Sequence, residues 1–331
     1  MNVRARRVVV IALLCIGLAA MSVWAEGIPP LPEGAFSIVA LPDTQAYSKG
    51  APEVFESEMQ WILDNLEAQK IVFVTHVGDI VDSHSDPKQW EVAKRSMRML
   101  HGRVPYGFSV GNHDMVTLTG DSSNFQAAFP ESLFKEFPWY GGSYKNNANS
   151  WQTFSAAGMD FIIVHLECNA PDDVLAWADG VLRAHADRRA IVTTHMYLGP
   201  LEKPKESDEF YSAPKGRMRW KKCHGEAGNT PEELWTKCFQ KHGNLFMVIC
   251  GDQSRTQAFY ERANGEAGNP VHEVMSDYRD GYFRVYRFIP AENRIDVFTY
   301  SASLGALCEA TKLVTERDRH QFSLEYEMKK D

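Results

Sequence analysis

The chain has 331 residues, 44% of them hydrophobic and 24% charged, with a formal net charge of −8. This is an ordinary globular composition, long enough for one large domain or two small ones. The acidic balance argues against non-specific nucleic-acid binding.

The first 25 residues stand apart. MNVRARR is basic, VVVIALLCIGLAAMSV is apolar over residues 8 to 23, and Val23-Trp24-Ala25 precedes Glu26, the pattern of a secretory signal peptide. An uncleaved anchor fits less well, because the run falls short of the roughly 20 apolar residues that cross a bilayer. Leu14 before Cys15 disfavours a lipoprotein. The expected mature chain is therefore residues 26–331, secreted or periplasmic, with no transmembrane span. Loss of Arg4, Arg6 and Arg7 takes its net charge from −8 to about −11.

From Gly34 the chain alternates strand-like and helix-like patterns. FSIVAL (36 to 41) reads as a strand, and residues 52 to 69 place Phe55, Met59, Ile62, Leu63 and Leu66 on one helical face. IVFVTHV (71 to 77), a helix near 87 to 101 with Trp90, Ala93, Met97 and Leu100, and VPYGFSV (104 to 110) follow. Residues 115 to 150 have no clear period and many aromatics, which predicts a long ordered loop beside a site. SWQTFSAAGMDFIIVHLE reads as a hairpin, and a helix over about 171 to 187 leads into AIVTTHMYL. Residues 199 to 229 are polar and irregular. Thr230-Pro231-Glu232-Glu233 then supplies an N-cap, a first-turn proline and a capping-box glutamate for a helix ending near Gly243. LFMVICGD (245 to 252) is a buried strand, and the remainder is nearly all strand and turn. Such alternation predicts an α/β sheet, in one domain with loop insertions near 115–150 and 199–229.

Five apolar runs end on polar residues: FSIVAL on Asp43-Thr44-Gln45, IVFVTHV on Gly78-Asp79 with Asp82 beyond, FSV on Gly111-Asn112-His113-Asp114, AIVTT on His195, and LFMVIC on Gly251-Asp252. In open α/β sheets ligands bind outside the carboxyl ends of the strands, so these segments are expected to converge. Glycines before three ligand positions allow close approach to a small centre. Mixed oxygen and nitrogen donors suit Mn²⁺, Fe²⁺, Zn²⁺ or Mg²⁺, and the lack of cysteine disfavours a structural zinc site. Taken singly, GNHD can be a turn, GDIVD an N-capped helix start and His195 a satisfied buried histidine.

In this order D-x-Q, GDxxD, GNHD, an isolated His and G-D resemble the calcineurin-like metallophosphoesterases, whose usual pattern is D-x-H, GDxxD, GNH(D/E), H and GHxH. The resemblance covers residues 36 to about 254. It implies a two-sheet β-sandwich flanked by helices, a four-layer αββα arrangement, with the strand-rich tail in the second sheet. It further implies two divalent ions: Asp79 bridges them, Asp43 and Gln45 serve the first, and Asn112, His195 and Asp252 the second. Such a pair clamps a phosphoryl group and activates a water. His113 is then the proton donor or a clamp on the substrate phosphate beside Asn112, with Asp82 orienting its ring and Asp114 fixing the turn.

The sequence departs from the family at Gln45, which stands for a histidine, and at Gly251-Asp252-Gln253-Ser254, which stands where GHxH is expected. Asp252 remains a ligand that favours a harder ion, whereas Gln45 and Ser254 are weak donors. Converging Asp43, Asp79 and Asp252 still call for at least one cation. Arg255 reads as a bidentate phosphate clamp or as a surface hairpin arginine. Tyr278 and Arg279 are similar candidates. His76, His165 and His272 read as strand residues and His84 as a rim residue. Of the five cysteines beyond the signal segment, Cys223 and Cys238 bracket a polar segment that a disulfide would close, the alternative being small buried hydrophobes.

The leading expectation is an exported metal-dependent phosphoesterase acting on a phosphorylated small-molecule or cell-surface substrate, a monoester or a diester. The alternatives are a catalytically impaired pseudoenzyme or binding module on the same fold, and a carbohydrate-binding protein using Phe125, Phe129, Phe134, Phe137, Trp139 and Tyr140, aromatics that equally suit a core.

Overall fold

The computed structural model describes residues 27–329. The signal peptide expected at residues 1–25 lies outside the described residues. Among the described residues no helix is long and apolar enough to cross a membrane.

Two large sheets form the centre. One runs, in spatial order, Ala306–Leu307, Arg294–Ser301, Tyr282–Ile289, Phe36–Leu41, Ile71–His76 and Tyr106–Phe108, with Phe322–Glu325 also paired to Arg294–Ser301. The other runs Ala258–Asn264, Pro270–Ser276, Leu245–Gly251, Arg189–Met196, Met159–His165, Asn149–Ala156 and Tyr140–Tyr144. The tail is therefore shared between the sheets, not confined to the second as the resemblance implied. Its strand Tyr282–Ile289 pairs antiparallel with Phe36–Leu41, covering an apolar strand edge that would otherwise face solvent.

Alternation along each strand explains the layering. In FSIVAL, Phe36, Ile38 and Ala40 face the space between the sheets, where Phe36 stacks on Phe288 at 4.7 Å between ring centroids. Val39 and Leu41 face the other way and pack with Phe55, Met59 and Ile62 of the helix Pro52–Asp64 and with Trp90, Ala93 and Met97 of the helix Pro87–Arg98. In the second sheet Ile191 faces inward, while Ala190 and Val192 pack with Val174, Leu175, Ala178 and Leu182 of the helix Asp172–Ala184 and with Leu234 and Trp235 of Pro231–Lys237. Strands buried on both faces read as unbroken apolar runs. The result is helix, sheet, sheet, helix.

The capping box at Thr230 and Glu233 is present, but the helix it starts closes at Lys237 and continues only as a 3₁₀ turn over Phe239–Lys241. Residues 115–150 are more regular than expected. They hold a short helix at Ser123–Ala128 and the edge strand Tyr140–Tyr144, and Phe125, Phe129, Phe134 and Tyr140 are buried in the core beside Tyr106 and Phe108. Those four aromatics roof the first sheet, and Phe137 and Trp139, half-buried, pack against them. Among the described residues all five cysteines are free and buried, and Cys223 lies against Cys168, while Cys238 packs in the other helical layer, so the expected Cys223–Cys238 closure is not formed.

Candidate metal centre

The strands Phe36–Leu41, Ile71–His76 and Tyr106–Phe108 run parallel, as do Arg189–Met196, Leu245–Gly251 and Pro270–Ser276. Their carboxyl ends open on one cavity of about 660 Å³, which Asp43, Gln45, Asp79, Asp82, His113, Asp252 and Arg255 all line.

Two loops hold the centre of the site. Asp79 has φ +51° and Asp252 φ +73°, left-handed conformations that cost energy in a residue with a Cβ and persist only when the surroundings enforce them. Asp114 supplies the enforcement at Asp79: its Oδ1 accepts from the N–H groups of Ile80 (2.8 Å) and Val81 (3.1 Å), and its Oδ2 from Gly111 (2.8 Å). One buried carboxylate thus ties the GDIVD loop to the GNHD loop. Gly111 has no alternative, since a Cβ there would lie 2.1 Å from Asp79 Oδ1. A Cβ on Gly251 would lie 2.4 Å from Asp43 Oδ1.

His195 is fully buried, and its Nδ1 donates to Val77 O at 2.9 Å. That bond turns Nε2 toward the carboxylates. Nε2 lies 3.1 Å from Asp79 Oδ1 and 3.4 Å from Asp252 Oδ1, yet hydrogen-bonds to neither, and Asp43 Oδ2 is equally buried and unpartnered. Donor atoms of Asp43, Asp79 and His195 lie within 4.8 Å of one another. Two buried atoms without a hydrogen bond, one of them an imidazole nitrogen drawn to the carboxylates by charge alone, fit one divalent ion among them.

The other side of the centre is finished differently. Lys222, from the irregular segment 199–229, places Nζ against an Asp252 oxygen and 3.2 Å from Asn112 Oδ1. The ammonium thus occupies Asn112 and Asp252, two of the three donors the resemblance gives to the second ion, while the third, His195, is gathered instead with Asp43 and Asp79.

His113 donates from Nδ1 to the backbone carbonyl of Asp82 at 2.7 Å, because a carbonyl can only accept. Asp82 thus orients the ring through its main chain, while its carboxylate pairs with Lys49 at 2.6 Å. The ring's other nitrogen faces the cavity, 4.0 Å from Asp79 Oδ2, on a side chain 41% exposed. The His113 N–H donates to Asp79 Oδ1 at 2.8 Å. Gln45 opens a short helix on the cavity wall. Arg255 is exposed, its guanidinium 5.1 Å from the Phe210 ring.

Sequence reasoning missed two residues. Asp277 follows the parallel strand Pro270–Ser276 into the same cavity and obeys the same strand-end rule, so the signal was there. Lys222 lies in a segment without period or motif and carried no signal.

Burial and neighbouring charges act together on every acid and base of the cluster. Burial and then Asp277 push the Asp43 carboxyl well above its usual range, and burial with Asp252 and Asp79 raises Asp277 to about 7. Burial also works against the Asp252 carboxylate, but Lys222 and His195 outweigh it and bring Asp252 down to about 2. Burial alone would discharge His195, yet Asp79 and Asp43 raise it well above the usual imidazole range. Outside this cluster, burial lowers His76 and His165 to about 3. His76 accepts from Gly78 N at Nδ1 and faces Thr44 Oγ1 at Nε2, so it shapes the turn as a neutral strand residue. His84 lines a separate small pocket with Trp90 and Asn124.

A sequence profile of the calcineurin-like phosphoesterases matches residues 36–253, well over half of the chain, and the chain belongs to that family. It is 30% identical over 287 residues to the uncharacterized protein YvnB of Bacillus subtilis (strain 168), a match covering 83% of this chain and 20% of that protein. Purple acid phosphatase PPD1 from yellow lupin seeds superposes with a TM-score of 0.55 at 15% identity, over 91% of this chain and 55% of the lupin chain. That likeness shows the two-sheet fold. The chain thus spans about a fifth of YvnB and little more than half of the lupin phosphatase.

Proposed function

We propose that the protein is an exported, metal-dependent phosphoric ester hydrolase acting on a phosphomonoester or phosphodiester. The observation that carries this reading is the pair of buried unpartnered atoms, Asp43 Oδ2 and His195 Nε2, beside Asp79 at the mouth of parallel strands. Export rests on the basic and apolar pattern of residues 1–25.

Asp43, Asp79 and His195 would hold a divalent ion, with Gln45 and Asp277 at hand on the cavity wall. Such an ion, when bound, polarises a phosphoryl oxygen and lowers the pKa of a water. The chain's own residues do the rest. Lys222 offers positive charge to the phosphoryl oxygens, and Arg255 meets the substrate from the exposed rim. His113, fixed by the Asp82 carbonyl, presents its free ring nitrogen to the leaving oxygen and, as imidazolium, hands it a proton.

The test is hydrolysis of aryl phosphate mono- and diesters by the mature protein with Mn²⁺ and after chelation. Turnover that chelation abolishes and Mn²⁺ restores is the expected result. Absence of turnover with every divalent ion would instead favour a binding module on this fold, a reading to which the ammonium on Asp252 and Asn112 lends weight.

A further inference from the structure

Lys222 is anchored from behind. Its backbone N–H donates to Asn169 Oδ1 at 2.9 Å, and that of Cys223 donates to the same oxygen at 3.2 Å. Asn169 Nδ2 in turn donates to Asn229 O at 3.0 Å, and Asn229 N–H returns to Asn169 O at 3.2 Å. Asn169 lies just beyond the strand Met159–His165, so these bonds fasten both ends of the segment 222–229 to a strand end of the second sheet. From that anchor the lysine stem crosses the cavity wall and delivers its ammonium to Asp252, whose side chain is 1% exposed, and to Asn112.

Of the three residues the resemblance gives to the second ion, His195 lies with Asp43 and Asp79, which leaves Asn112 and Asp252, and both are held by the ammonium. Asp252 cannot give the same oxygen to an ammonium at contact distance and to a divalent ion, because the two cations would then repel each other across a few ångströms of buried space. We propose that Lys222 Nζ is a built-in cation at the second metal position, so that the chain takes one divalent ion, at Asp43, Asp79 and His195, in place of a pair. This rests on the metal-dependent reading above and adds that the second positive charge is covalently part of the chain. An ammonium has three donors; two are engaged by Asp252 and Asn112, and the third is free for a phosphoryl oxygen.

The experiment counts ions. Mature wild type, K222M and K222R are dialysed against Mn²⁺, then against buffer, and metal per chain is measured by elemental analysis, with thermal melts to show that each variant is folded. The expected result is one ion in wild type and in K222R, which keeps the charge, and two in K222M, which keeps the stem and loses it. Two ions in wild type overturn the proposal and leave the metal-dependent reading standing, and so does one ion in a folded K222M. No ion in any of the three proteins sinks the metal-dependent reading itself, and the proposal with it. If K222M does not fold, K222Q takes its place with the same expectation of two ions.

Discussion

The two sides of the cavity are built from the same kind of residue and completed in opposite ways. On one side Asp43, Asp79 and His195 leave Asp43 Oδ2 and His195 Nε2 buried and without hydrogen bonds. On the other, Asn112 and Asp252 hold the ammonium of Lys222. Both gather carboxylates at strand ends, where burial penalises charge. The difference teaches that a shared family scaffold specifies where positive charge is needed and leaves its source open. On the proposed reading one source is solution and the other is the chain.

Asp79 is where that contrast is most easily broken. Asp79→Asn keeps an amide oxygen for the His113 N–H, so the fold should survive, yet it withdraws the anionic donor closest to His195. The expected outcome is loss of the bound ion and of turnover together, read by elemental analysis and a phosphatase assay, with the thermal melt little changed. Retained metal would sink the assignment. His113→Ala should act on neither cation: metal stays, and turnover falls by about 10²- to 10⁴-fold, the usual weight of a general acid. Metal lost from that variant would make His113 a ligand.

How much of this was legible beforehand follows from the physics of strand ends. Asp43, Asp79, Asn112, His113, His195 and Asp252 each close an apolar run, and parallel strands must bring such positions together. Asp277 obeys the same rule after VHEVMS, yet only its neighbours Tyr278 and Arg279 stand out as candidates, because the family pattern has no place for a carboxylate there. Lys222 was out of reach in principle. It sits in an irregular segment whose position is set by side-chain bonds from Asn169 and Asn229, residues about 50 positions away or on the far side of the loop, and no periodicity encodes such bonds. The tail's division between two sheets was equally hidden, since antiparallel partners of Phe36–Leu41 are chosen by an open edge and not by local pattern.

The smallest effect expected supplies the reference both sides of the cavity lack, a buried carboxyl with no cation of either kind. Glu58, on the helix Pro52–Asp64, is fully buried and neither of its oxygens has a hydrogen-bond partner. Burial pushes its pKa well above the ordinary carboxylate value of about 4.3, so the folded chain keeps the proton that the unfolded chain releases. Below pH 4 both states are protonated and the group is neutral in the balance. As pH rises past the unfolded value, the unfolded state gains stability by ionising and the folded state loses ground, up to the raised folded value. Glu58→Gln removes this linkage. The melting-temperature difference between E58Q and wild type should therefore grow in favour of the variant from pH 4 to pH 8, whereas a difference independent of pH would show that Glu58 is compensated after all. Its size measures what an uncompensated acid costs this fold, and hence how strongly Asp43 and Asp252 must be held by their cations.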